Sequence, residues 1–148
     1  MSATLSIPGG ERCAFAARLD QIPATAAFIE AFCARNGIAM PDALRLTLIV
    51  EELFTNSVLH GYGGDCEAPI EVVLTTDSGD ITLLYEDAAD EYDPLAECAA
   101  EPDHLHGAVE SRPVGGLGLH LVSELAADAR YAREAGRNRL WLRIAVER

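Results

Sequence analysis

From Pro41 to Gly61 the chain reads PDALRLTLIVEELFTNSVLHG, and a helix over this stretch is apolar on most of its bearings. Val50, Phe54 and Val58 share one side, Leu48 and Leu59 border a second, and Ile49 and Leu53 a third. That pattern predicts a mostly buried helix of roughly 18 residues. Pro41-Asp42 supplies an entry at which the aspartate can cap free amides, and Gly61 can close the helix in the left-handed conformation. Along this helix run Glu52, Asn56 and His60. Each step of four residues advances only ~40°, so the three fall within roughly an 80° sector. A carboxylate and an amide on a mostly buried helix must find partners, because an unsatisfied buried group costs on the order of 1–3 kcal/mol. A ligand can be that partner; with Arg45, the same three residues also fit the single wet edge of an amphipathic helix.

The rest of the chain predicts what packs on this helix. ATLSIPG and RCAFAARL read as two short strands separated by Pro8-Gly9-Gly10. PATAAFIEAFCAR, residues 23–35, reads as a first helix that ends at Asn36-Gly37. Residues 70–76 and 81–87 flank Asp77-Ser78-Gly79-Asp80 and predict a hairpin. Residues 88–114 hold three prolines and no sustained period, so they read as a long loop with a short helical turn near Leu95 to Ala100. A loop of that length is often a lid over a binding site. GLGLHLVSELAADA restores a helical pattern over 116–129, and ARYARE with RLWLRIAVE makes a closing hairpin about Gly136. Strands cluster in hairpins and helices do not alternate singly with them. The expected fold class is therefore α+β, a two-layer sandwich with a mixed, largely antiparallel sheet and helices on one face. At 148 residues the chain predicts a single domain over 1–148, with the lid at about 88–114.

Charge narrows the partners. A formal net charge of -13 repels phosphate backbones and anionic lipid, which argues against nucleic acid and membranes and leaves a basic protein surface as the livelier partner. Cys13, Cys33, Cys66 and Cys98 stand singly, without zinc spacing or a disulfide framework, and fit reduced thiols in a cytosol. The first residues, MSATLSIPGG, carry neither a basic start nor an apolar run, and no apolar stretch approaches the ~20 residues of a membrane span. The expected location is cytoplasmic.

Two further features belong beside the helix. RPVGGLGLHLV places Gly115, Gly116 and Gly118 just before a helix, where free amides and the helix dipole favour phosphate oxygens. YEDAADEYDP puts Asp87 where a strand ends and the lid begins. A buried carboxylate there can accept a hydrogen bond from an exocyclic amine such as that of adenine.

Taken in order, these three stretches resemble the ATP-binding fold of the histidine-kinase, gyrase, heat-shock and mismatch-repair ATPases, most closely its anti-sigma-factor serine/threonine kinase branch. The resemblance covers about residues 12–146 and rests on the order and spacing of the motifs. EELFTNSVLHGY is similar to the family's N box. The likeness implies that Asn56 coordinates the Mg²⁺ carried by ATP and that Glu52 is the general base, with His60 and Tyr62 lining the same side. EDAADEYDP is similar to the adenine box, which makes Asp87 the adenine partner; this chain has Ala89 where the family commonly has glycine. RPVGGLGLHLV is similar to the second glycine box, placing Gly116, Leu117 and Gly118 at the phosphates with Gly115 and Arg112 nearby. The function so implied is that of an ATP-dependent kinase that phosphorylates an anti-sigma-factor antagonist, a STAS domain, and sequesters a sigma factor. Related proteins pair as homodimers. The alternative is a regulatory module that binds a protein partner and holds nucleotide structurally or not at all.

Overall fold

The computed structural model describes residues 9–95, 122 and 126–146. All but Gly9 of the strand read over residues 3–9, most of the lid and the glycine turn at 115–118 lie outside them. In chain order the elements are β1 (Glu11–Ala16), α1 (Ile22–Arg35), α2 (Met40–Asn56), β2 (Pro69–Asp77), β3 (Asp80–Asp87), β4 (Ala126–Glu134) and β5 (Arg137–Ile144). Among the described residues five strands form one sheet in the order β1-β2-β3-β5-β4, and their four pairings are antiparallel. The fold is α+β, as the pattern predicts. Two hairpins, β2–β3 and β4–β5, turn tightly through Ser78-Gly79 and Ala135-Gly136, whose positive φ values of 56°, 91°, 52° and 76° suit two-residue hairpin loops.

Alternation decides what each strand buries. Ile70, Val72 and Leu74 of β2, Ile81, Leu83 and Tyr85 of β3, and Leu140, Leu142 and Ile144 of β5 join one core with Ile29 and Phe32 of α1 and Leu46, Ile49, Val50, Leu53 and Phe54 of α2. The two helices thus cover one face. On the opposite face the register aligns Glu71 with Glu86 and Glu86 with Arg139. Arginines lie across it: Arg12 pairs with Glu71, Arg143 with Asp80 at 3.3 Å, and Arg130 stacks 5.2 Å from the ring centre of Trp141. Glu86, only 3% exposed, is held by Arg137 at 2.6 Å and Arg139 at 3.3 Å. Glu86→Ala removes the anion and leaves two cations facing each other in a half-buried layer. Urea unfolding should show a loss on the order of 3 kcal/mol, well above what an exposed pair contributes.

Three local expectations are corrected. The helix read over 116–129 ends sooner, because Ala126 to Ala129 already pair with β5; alanine suits a helix, but the neighbouring strand prevails. Asp42 caps nothing: it is 2% exposed and pairs with Arg45 at 2.5 Å, and α2 starts after Ala39. Gly61 is not left-handed; Gly63 and Gly64, with φ of 77° and 137°, take that conformation two and three residues later. Cys13, Cys33 and Cys66 are free thiols, and among the described residues no helix is long and apolar enough to cross a membrane.

Candidate functional site

The site begins at the end of α2. Ile49, Val50, Leu53, Phe54 and Val58 are buried, whereas Leu44, Leu48 and Leu59 are 55%, 42% and 42% exposed. The helix is therefore buried on one side only, and Glu52 and Asn56, both half-buried, lie at the boundary. Burial, and secondarily the like charge of Glu51, hold the Glu52 carboxyl above the ordinary carboxylate range. After Asn56 the helix widens into a π turn over Ser57–Gly61, closed by Tyr62 N donating to Ser57 O at 2.8 Å. The wider turn breaks the ~100° step on which the alignment of His60 rests. His60 is exposed.

Ser57 turns inward and ties α2 to the sheet. Its Oγ donates to Asp87 Oδ2 at 2.6 Å and lies 2.7 Å from Tyr85 Oη, so the tyrosine must be the donor in that second bond. Burial, with Asp87 nearby, keeps the Tyr85 hydroxyl protonated far above its usual range. Proton donation thus runs one way, from Tyr85 through Ser57 to Asp87. The other carboxylate oxygen, Asp87 Oδ1, accepts from Asn138 Nδ2 at 2.9 Å and from Ala89 N at 3.2 Å. Asp87 ends β3 at 7% exposure, directly opposite Asn138 of β5.

Asn138 holds more than Asp87. Its Nδ2 also faces Asp90 O at 2.9 Å and Ala89 O at 3.3 Å, and its Oδ1 accepts from Tyr92 N at 3.0 Å and Tyr131 Oη at 2.6 Å. Two hydrogens serve three acceptors, so one of these bonds is shared. Tyr62 Oη accepts from Ala88 N at 2.7 Å, and Arg133 donates to Ala89 O at 2.7 Å. The turn after Asp87 is thus held at Ala88 N, Ala89 N, Ala89 O, Asp90 O and Tyr92 N. Asp93 Oδ1 then accepts from Leu95 N at 2.8 Å, and residues 96–100 of the helical turn expected over Leu95 to Ala100 lie outside the described residues.

Ala89 is 5% exposed and does not have a positive φ; among the described non-glycine residues only Ser78 and Ala135 do. The backbone at 89 therefore requires no glycine. Sequence reasoning missed Ser57, Tyr85 and Asn138. Strand parity carried the signal for two of them: Asn138 alternates with Leu140 and Leu142, and Tyr85 with Leu83, all turned to the core. Gly115, Gly116, Leu117, Gly118 and Arg112, like His104 and His106, lie outside the described residues.

The donor set bears on a metal ion. Among the described residues no three His, Cys, Asp or Glu side chains converge to hold one. Asn56 offers a single neutral oxygen, which suits an ion such as Mg²⁺ that arrives on phosphates and keeps most of its waters.

Residues 15–144 match the family described as the histidine kinase-like ATPase domain, and the chain belongs to that family. No curated protein matches the sequence. Among solved structures, the chain is similar to one in the SiaB-SiaC complex from Pseudomonas aeruginosa, with 16% identity over 89% of this chain and 88% of that one and a TM-score of 0.54. It is also similar to the Acinetobacter baumannii histidine kinase AdeS, with 10% identity over 93% of this chain and 68% of that one and a TM-score of 0.48. At 16% identity the first similarity shows a shared fold.

Proposed function

We propose that the protein is a cytoplasmic serine/threonine kinase that uses Mg²⁺-ATP to phosphorylate an anti-sigma-factor antagonist and that also sequesters a sigma factor. The observation that supports it best is the Ser57 bridge. It joins the residue after Asn56 to Asp87, so the candidate metal-binding amide and the candidate base-recognising carboxylate belong to one hydrogen-bonded unit. Among the described residues Asp87 Oδ2 accepts only from Ser57, whereas Oδ1 already accepts twice, so Oδ2 has the capacity left to receive the amino group of adenine. Asn56 would hold Mg²⁺, which supplies neutralisation of phosphate charge. Glu52 would take the proton from the acceptor hydroxyl as its oxygen bonds the γ-phosphorus and the bond to the β-phosphate oxygen breaks, leaving ADP. Its raised proton affinity makes it the stronger base. Gly116, Leu117 and Gly118 would cradle the phosphates, with Gly115, Arg112, His60 and Tyr62 around them. A chain of the same fold occurs in the two-protein SiaB-SiaC complex, consistent with a protein partner here. In this scheme phosphorylation weakens the antagonist's hold and frees the kinase for its sigma factor.

The first test is thermal unfolding with Mg²⁺-ATP. Ligand at ~100 times its dissociation constant adds about 2.7 kcal/mol, enough to raise the midpoint by several degrees in a domain of this size. Absence of any shift at millimolar nucleotide would favour the partner-binding module without catalysis. Transfer of labelled phosphate to a serine or threonine of a candidate antagonist then tests the kinase itself.

A further inference from the structure

The end of the π turn and the turn after Asp87 meet at Gly61. A Cβ placed on Gly61 would stand 2.8 Å from the Cβ of Ala89, closer than two such carbons approach. Neither side can yield easily. Ala89 is 5% exposed, and an alanine methyl has no rotamer that moves it aside. Its carbonyl is held by Arg133 and Asn138, and Ala88 N by Tyr62, the residue that follows Gly61. Gly61 and Tyr62 together set the spacing between the two turns, one by bringing no side chain and the other by a hydrogen bond. The spacing matters because Ala89 N is one of the donors that fixes Asp87 Oδ1. Displacing Ala89 re-aims the carboxylate.

We infer that Gly61 is a positioning residue for base selection: its bare α-carbon lets Ala89 seat, and so aims Asp87 at the amino group of a 6-aminopurine nucleotide. The inference rests on the nucleotide-binding reading above. A carboxylate accepts from a 6-amino group but meets the oxygen of a 6-oxopurine with acceptor against acceptor. An error in its aim therefore costs adenine recognition and leaves phosphate recognition intact.

The test is calorimetric titration of Mg²⁺-ATP and Mg²⁺-GTP into the full chain and into Gly61→Ala, Ala89→Gly and the double variant. Gly61→Ala is expected to weaken ATP at least tenfold while changing GTP less than twofold. Added to Ala89→Gly, which removes the opposing methyl, the same substitution is expected to weaken ATP less than threefold. Unchanged ATP affinity in Gly61→Ala, equal losses for both nucleotides, or no recovery in the double variant would overturn the inference. Where GTP binds the parent too weakly to quantify, recovery in the double variant decides. If the parent binds neither nucleotide, the reading of the site has failed, and the steric contact is judged by the thermal midpoint alone. Gly61→Ala should lower it and Ala89→Gly restore it, and a midpoint that does not fall shows that the contact does not constrain the turns.

Discussion

Glu52→Gln is expected to slow phosphoryl transfer by at least ~100-fold, within the range a positioned base supplies, while ATP affinity changes less than ~threefold because the amide keeps the shape and loses only the proton acceptor. Single-turnover transfer and equilibrium binding measure the two separately. Burial and Glu51 both raise the proton affinity of Glu52, so the acidic limb of the rate profile should lie above the ordinary carboxylate value. Glu51→Gln removes the like charge and should move that limb to lower pH. The sign for stability runs the other way. A carboxyl whose proton affinity is raised by folding contributes stability below its unfolded pKa, and that contribution is lost as pH rises through the folded value. At neutral pH, Glu52→Gln should therefore unfold no more easily than the parent. Transfer that survives the substitution would remove Glu52 from its role.

Asn138→Leu should be the most disruptive single change to the site. It leaves Asp87 Oδ1, Asp90 O, Tyr92 N and Tyr131 Oη without their common partner, which predicts a loss of about 3–4 kcal/mol in urea unfolding and failure to bind ATP. Asn138→Asp separates orientation from bulk. It keeps the acceptor toward Tyr92 and Tyr131 but sets a carboxyl against Asp87, and two carboxylates at that distance cannot both ionise cheaply. One then keeps its proton to a higher pH than it would in the unfolded chain. Stability in this variant is greatest at low pH and is lost as pH rises, so unfolding at pH 5.5 and pH 8 should differ far more than for the parent. Equal values at both pH would show that Asn138 and Asp87 do not share a proton-sensitive contact.

Much of the fold was legible because periodicity reports burial. The runs 70–76 and 81–87, flanking the turn Asp77-Ser78-Gly79-Asp80, predicted β2 and β3 to within a residue. The helical pattern over 116–129 misled at its end, where Ala126 to Ala129 carry no alternation strong enough to announce a strand and take that form through pairing with β5. Glu52, Asn56 and Asp87 were proposed from spacing and strand position, whereas Ser57 and Asn138, which the structure bonds to Asp87, gave no such signal. Each matters through a partner 30 or 51 residues away, and that kind of information is absent from a local pattern. The π turn was equally hidden, because SVLHG has no residue that announces a widened helix.

The position of Asp87 and Asn138 carries a consequence for how the chain assembles. β2–β3 and β4–β5 each close through a two-residue turn and need only neighbours in the chain. Their joint, β3 against β5, needs residues on either side of the long intervening segment to find each other, and contacts of that kind form late. Asp87 meets Asn138 at this joint. The nascent chain can thus hold both hairpins and the α2 helix before Asp87 and Asn138 meet, and closure of that hydrogen bond would mark the moment at which the two halves have locked.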